Sequence, residues 1–122
     1  MVLNKNILTN IFQSNFELEI TECIEDAIMN MESRELEKIF EEFIDYAYLD
    51  EITGMEVSSF STEEENDVVT VFGDLHVRAF IEGYVHWDGE EEFVGVNEAE
   101  ILLEYSFEIA GEKYYNLELA FV

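Results

Sequence analysis

The chain has no proline, a single cysteine and five basic residues among 122. With no proline, no repeat and no low-complexity joint, nothing marks a linker, and the length sits in the commonest range for one unit, about 100 to 150 residues. Residues 1–122 are therefore expected to form a single domain. Cys23 excludes an internal disulfide, and its neighbours Glu22, Glu25 and Asp26 are the reverse of what a reactive thiol needs, so it is expected to be a small core side chain. No apolar run approaches the roughly 18 residues of a membrane helix, and MVLNKNILTNIF lacks the apolar centre of a signal peptide, which points to the cytoplasm.

The shortage of Lys and Arg excludes most. Lys5, Arg34, Lys38, Arg78 and Lys113 stand against 30 Asp and Glu, a formal charge of -25. A phosphate backbone or an anionic membrane is gripped by clustered cations, so neither is expected as a direct partner. The excess far surpasses the magnitude of about 2 to 8 that keeps a small domain soluble, and it destabilises the compact state through self-repulsion.

Motifs of catalysis are missing too. There is no G-x-S-x-G, no H-E-x-x-H, no phosphate-cradling glycine loop and no Cys-His pairing. Carboxylate pairs are too numerous to inform, and glycosidase-type acid and base work needs two of them in one cleft. No D-x-[DN]-x-[DN]-G loop occurs, and ten residues of extended strand would separate His76 and His86 by roughly 33 Å. No enzyme activity, metal or cofactor is expected.

Against these absences stand 48% hydrophobic residues, with ten Phe, six Tyr and one Trp, enough apolar surface for a buried core. The first half has helical period. Leu36, Ile39, Phe40, Phe43, Ile44 and Ala47 follow i, i+3, i+4, i+7 behind Ser33 as N-cap, with Glu35, Glu37, Glu41, Glu42 and Asp45 opposite. Ile20, Ile24, Ala27, Ile28 and Met31 form a second stripe, opened by Ser14 or Thr21 and closed near Asn30, and residues 4–12 a third, shorter helix. Alternating apolar residues over 16–20 leave an extended reading of that stretch open.

From Val69 the period becomes two. Val69, Val71, Leu75, Val77, Ala79, Ile81, Val85 and Trp87 share the odd face, as do Ala99, Ile101, Leu103, Tyr105, Phe107 and Ile109, then Tyr115, Leu117, Leu119 and Phe121. A three-residue loop of Ala110, Gly111 and Glu112 keeps odd opposite odd, pairing Phe107 with Tyr115. Asp88-Gly89 has the composition of a two-residue type I′ turn, which mixes the faces, so a longer loop or a bulge near Gly95 is expected to restore parity. Met55 and Val57 suggest an earlier strand ahead of an acidic loop, STEEEND, at 61–67. The fold expected is α+β, two or three N-terminal helices packed on one face of a C-terminal antiparallel meander of about four strands.

With the odd face under the helices, the even face looks outward and carries Asp74, Glu82, Glu98, Glu100, Glu104, Glu108 and Glu118 against Arg78 alone, interleaved with Phe72, Phe80, Tyr84 and Tyr114. Glu90, Glu91 and Glu92 in YVHWDGEEEF extend this surface at one end. Like charges about 5 Å apart across strands cost a few tenths of a kcal/mol or more per pair, a cost that a neutral solvated face avoids. Clustered carboxylates can imitate the phosphate row of a duplex, which carries one negative charge per 1.7 Å or so of axis. In charge and size the chain resembles DNA-mimic inhibitors, a group defined by composition and sharing no motif. The resemblance implies a non-catalytic inhibitor of a basic, nucleic-acid-binding protein, in the manner of an anti-CRISPR or anti-restriction protein. Glu98, Glu100, Glu104 and Glu108 would stand in for phosphates, with Phe80, Tyr84 and Trp87 as anchors. Asp74, Glu82 and Glu90, Glu91 and Glu92 complete the expected partner-binding set. Two alternatives stay open: an immunity protein or antitoxin against a basic toxin, and a structural or adaptor subunit whose acidic surface keeps it soluble while an apolar patch forms a homodimer.

Overall fold

In the computed structural model, which describes residues 2–122, three helices precede a four-stranded antiparallel sheet in the order β1-β2-β3-β4, an α+β fold. The helices are α1 (Lys5–Asn15), α2 (Glu17–Met29) and α3 (Ser33–Phe40); the strands are β1 (Tyr46–Glu65), β2 (Val68–Trp87), β3 (Glu90–Ala110) and β4 (Lys113–Phe121).

Local chemistry accounts for the helix ends. The Asn4 side chain accepts from the Ile7 N–H at 2.9 Å and caps α1, satisfying one of the orphan donors of its first turn. Phe16 and Ile20 are both buried and lie one helical turn apart, and the Ile20 N–H bonds the Phe16 carbonyl at 3.0 Å. The extended reading of 16–20 is thereby overturned, because a period of 3.6 buries the same apolar residues. The third helix is shorter than its apolar stripe. Glu41 turns left-handed at φ 60 and its N–H closes on the Glu37 carbonyl at 2.8 Å, so α3 stops at Phe40. Phe43 is left 59% exposed, Ile44 is buried beyond the helix, and Ala47 belongs to β1. Ser33 does not act as the N-cap. Glu32 holds that position without a side-chain bond, while the Ser33 hydroxyl donates to the Ile44 carbonyl at 2.6 Å.

The hairpins are tighter than expected, and bulges repair the parity. The STEEEND stretch is mostly strand, since β1 runs to Glu65 and only Asn66 and Asp67, at φ 52 and 64, make the turn. Asp88 and Gly89, at φ 50 and 80, form a two-residue turn of type I′ sign. The expected bulge follows: Phe93 touches Tyr84, which faces away from the buried Gly83, whereas Ala99, six residues on, is buried, so alternation breaks once between them. At the last hairpin Ala110 pairs with Lys113 across Gly111 and Glu112, a two-residue turn that sets Glu108, not Phe107, opposite Tyr115. Asn116, left-handed at φ 55, inserts the extra residue, and Tyr105 then meets Leu119 and Leu103 meets Phe121 as odd partners. Tyr114, paired with the buried Ile109, and Tyr115, paired with Glu108, therefore exchange the faces expected of them.

The described residues form two compact units. The first holds the residues up to Ile20, Met55–Val77 and Ile101–Val122; the second holds Thr21–Gly54 and Arg78–Glu100. In the first, the Phe12 ring meets Tyr105 and Phe107 edge-on at centroid distances of 4.8 and 5.4 Å, and Phe16 meets Phe107 at 5.3 Å. The Thr9 hydroxyl accepts from the Val57 N–H at 3.0 Å, tying α1 to β1, and the Tyr105 hydroxyl donates to the Ser59 carbonyl at 3.0 Å. In the second, Ile24 and Ile28 of α2 and Leu36 and Phe40 of α3 are buried with Ala47, Ala79, Ile81 and Ala99. Phe40 lies directly on Gly83, where a Cβ would come within 2.8 Å of its ring.

Candidate partner-binding surface

Alternation along β1 puts Tyr46 and Tyr48 on one side of buried Ala47, and the same rule puts Tyr84 opposite in direction to Gly83. The two-residue turn at Asp88-Gly89 brings Phe93 alongside Tyr84, three positions from each end of the hairpin. The outer face of the second unit thus gathers four rings. Tyr46 stacks on Tyr84 at 5.7 Å and 13°, Tyr48 meets both edge-on at 5.5 Å, and Phe93 leans on Tyr84 at 5.5 Å. Tyr48 is 40% and Phe93 54% exposed.

Carboxylates border this ledge. The Tyr84 hydroxyl donates to Glu82 Oε2 at 2.8 Å, and Glu91 lies near the Tyr46 hydroxyl. The bond to Glu82, then partial burial, raises the Tyr84 phenol above its ordinary value; partial burial, then the neighbouring Glu91 carboxylate, raises that of Tyr46. Glu98 and Glu100 flank the buried Ala99 and are exposed on the outer side.

Glu90, Glu91 and Glu92 do not act as one group. Glu91 belongs with the tyrosines, while alternation sends Glu90, Glu92 and the 72% exposed Trp87 to the other side of the hairpin. Trp87 is therefore not a neighbour of Tyr84 on that face.

In the first unit the expected carboxylates are partly engaged. Asp74 accepts from the Ser59 hydroxyl at 3.1 Å and donates its own N–H to Ser59 Oγ at 3.2 Å. Glu108 accepts from the Asn116 side chain, Glu104 stands exposed opposite Ala120, and Glu118 stands opposite Ser106. A hollow of about 390 Å³ near the turns is lined by Leu3, Phe60, Val69 and Ile109, with Thr62, Glu64 and Asp67 among its polar groups.

Twelve carboxylates accompany Lys5 and Lys113 in the first unit, and eighteen accompany Arg34, Lys38 and Arg78 in the second. Arg34 pairs with Glu32 at 2.9 Å on the surface, Lys38 sits in the last turn of α3, and the Arg78 guanidinium lies over Gly54. Among the described residues no three His, Cys, Asp or Glu side chains are placed to hold a metal ion together. Cys23 is half-buried, and burial followed by Asp26 pushes its thiol up. No helix among the described residues is long and apolar enough to cross a membrane.

Tyr46, Tyr48 and Phe93 are the functional candidates that the sequence did not reveal. The signal was Y-A-Y at 46–48, a period-two triplet hidden inside a helical stripe, together with the Asp-Gly turn taken at its shortest length. Compared with family models, curated proteins and solved structures, the chain finds no match.

Proposed function

We propose that the chain is a non-catalytic acidic inhibitor that acts in the cytoplasm by seating on the nucleic-acid-binding site of a basic protein, such as a restriction or CRISPR nuclease. The observation that supports this reading is the outer face of the second unit, where Glu82 and Glu91 sit beside an exposed aromatic ledge and Glu98 and Glu100 continue the negative charge further along β3. Side chains on one face of a strand recur every 6.6 Å or so, and strands lie about 4.8 Å apart, so such carboxylates form a dense array of negative charge. A groove built to receive phosphates is attracted to that array, and the field steers the encounter. Aromatic rings beside it provide the apolar contact that a charge array alone lacks.

The test begins with host proteins retained on the immobilised chain. A retained protein that is the target must be released by duplex DNA or RNA, and the free chain must block its nucleic-acid binding in a fluorescence-anisotropy competition. Affinity should fall by about tenfold or more between 50 and 200 mM salt. Reversal of Glu82, Glu91, Glu98 and Glu100 to Lys should abolish inhibition. A target that holds the chain and its nucleic acid at the same time would overturn the reading.

A further inference from the structure

We infer that the tyrosine ledge of the second unit selects arginine over lysine on its basic partner, an inference that rests on the function proposed above and specifies which cation the surface takes. An array of carboxylates attracts either cation. The ledge differs because its rings and its carboxylates are joined. Tyr46 and Tyr84 are nearly parallel, Tyr48 and Phe93 leave part of their surfaces open, Glu82 is held beside the rings by the Tyr84 hydroxyl, and Glu91 lies near that of Tyr46. A carboxylate has about four lone-pair positions, so one phenol bond leaves acceptors free on Glu82.

A guanidinium fits both parts at once. It is planar and weakly hydrated, stacks on an aromatic surface, and presents a fork of N–H donors to a carboxylate in its own plane. An ammonium group is compact and strongly hydrated, and gains less than a planar guanidinium from the open aromatic surface of Tyr48 and Phe93. Of the second unit's own cations, Arg34 pairs with Glu32, Lys38 sits in the last turn of α3, and Arg78, on the same outer side of β2, lies over Gly54 rather than on the rings. The chemistry that completes the ledge is an arginine side chain from outside.

Capped hexa-arginine and hexalysine peptides, equal in charge, are the probes, titrated into the full chain by NMR at fixed ionic strength. Hexa-arginine should bind about three- to fivefold more tightly for each stacked guanidinium. The shifted resonances should centre on Tyr46, Tyr48, Tyr84 and Phe93, and the arginine side-chain protons should move upfield. Tyr48→Leu with Phe93→Leu, both at exposed positions, should erase the preference while leaving hexalysine binding unchanged; a thermal melt checks that the pair still folds. Equal affinities, or a preference that survives the double substitution, would overturn the inference while leaving the acidic surface as a binder of cations. If neither peptide bound at low salt, the proposed function would fall with it.

Discussion

Each unit gathers four aromatic rings, but in the first they are the core and in the second they form a ledge open to water. Phe12, Phe16, Tyr105 and Phe107 are all at most 5% exposed, and three of their contacts are edge-on. Tyr46, Tyr48, Tyr84 and Phe93 lie beyond a sheet whose inner side, in that unit, is filled by Ile24, Ile28, Leu36, Ile81 and small alanines, with Phe40 the aromatic exception. The difference lies in which side of the strands the rings occupy, and strand parity sets it. Rings on the inner side stabilise the fold by burial; rings left half-open on a strongly acidic face stabilise it less and are available for contact.

The largest expected effect tests that division directly. Phe12→Ala should destabilise by about 3 to 5 kcal/mol, because a fully buried ring leaves both its transfer energy and a cavity behind. Phe93→Ala should cost less than about 1 kcal/mol, as at most half-exposed surface positions. Urea denaturation of both variants measures the difference, and comparable losses would erase the distinction between core and ledge.

Glycines sharpen it next. At Gly73 in the first unit a Cβ would lie 2.1 Å from the Ser59 carbonyl oxygen and 2.8 Å from Phe60 Cα, so β1 and β2 approach through backbone alone. Gly73→Ala should cost about 3 kcal/mol, since backbone must shift. In the second unit the obstacle at Gly83 is the Phe40 ring at 2.8 Å and Ile44 Cδ1 at 3.1 Å, side chains that can give. Gly83→Ala should cost nearer 1 kcal/mol. A reversed order in thermal melts would mean that the second core is the more rigid.

Elements governed by neighbouring residues were legible in the sequence. The stripes of α1 and α2 and the alternation of β2 and β3 follow from local period, and the α+β layering follows from their order along the chain. What escaped depended on choices that one residue can tip. Residues 43–47 satisfy a helical stripe through Phe43, Ile44 and Ala47 and a strand through Tyr46, Ala47 and Tyr48, and the left-handed Glu41 decides for the strand. Parity hinged on Asn116, whose left-handed backbone converts a two-residue turn into the odd pairing of Leu103 and Tyr105. The Asp88-Gly89 turn carried its own signal, but the face of Phe93 required knowing that the bulge falls after it rather than within the loop. Of the candidate surface, Glu82, Tyr84, Glu98 and Glu100 were readable from alternation. The tyrosines of β1 were not, because their strand was hidden.

The smallest effect concerns protons, and it separates the two clusters by cause. Both Tyr105 and Tyr84 hold their phenol protons above the ordinary value of about 10. For Tyr105 burial is the larger cause and the Asp74 charge the lesser; for Tyr84 the hydrogen bond to Glu82 comes first. Glu82→Gln should therefore bring Tyr84 down towards an ordinary phenol, whereas Asp74→Asn should leave Tyr105 raised. A phenol whose folded value is raised stabilises the fold fully below about pH 10 and loses that contribution as pH climbs through the folded value. The stability that Tyr84 withdraws as pH climbs above about 10 should accordingly be smaller in Glu82→Gln than in the parent, because a phenol that titrates alike in the folded and unfolded chain adds no pH dependence. Ring-carbon NMR titration of each tyrosine reads both shifts. Should Asp74→Asn lower Tyr105 as far as Glu82→Gln lowers Tyr84, water and charge would reach the two clusters alike, and the ledge would have no claim to a different role from the core.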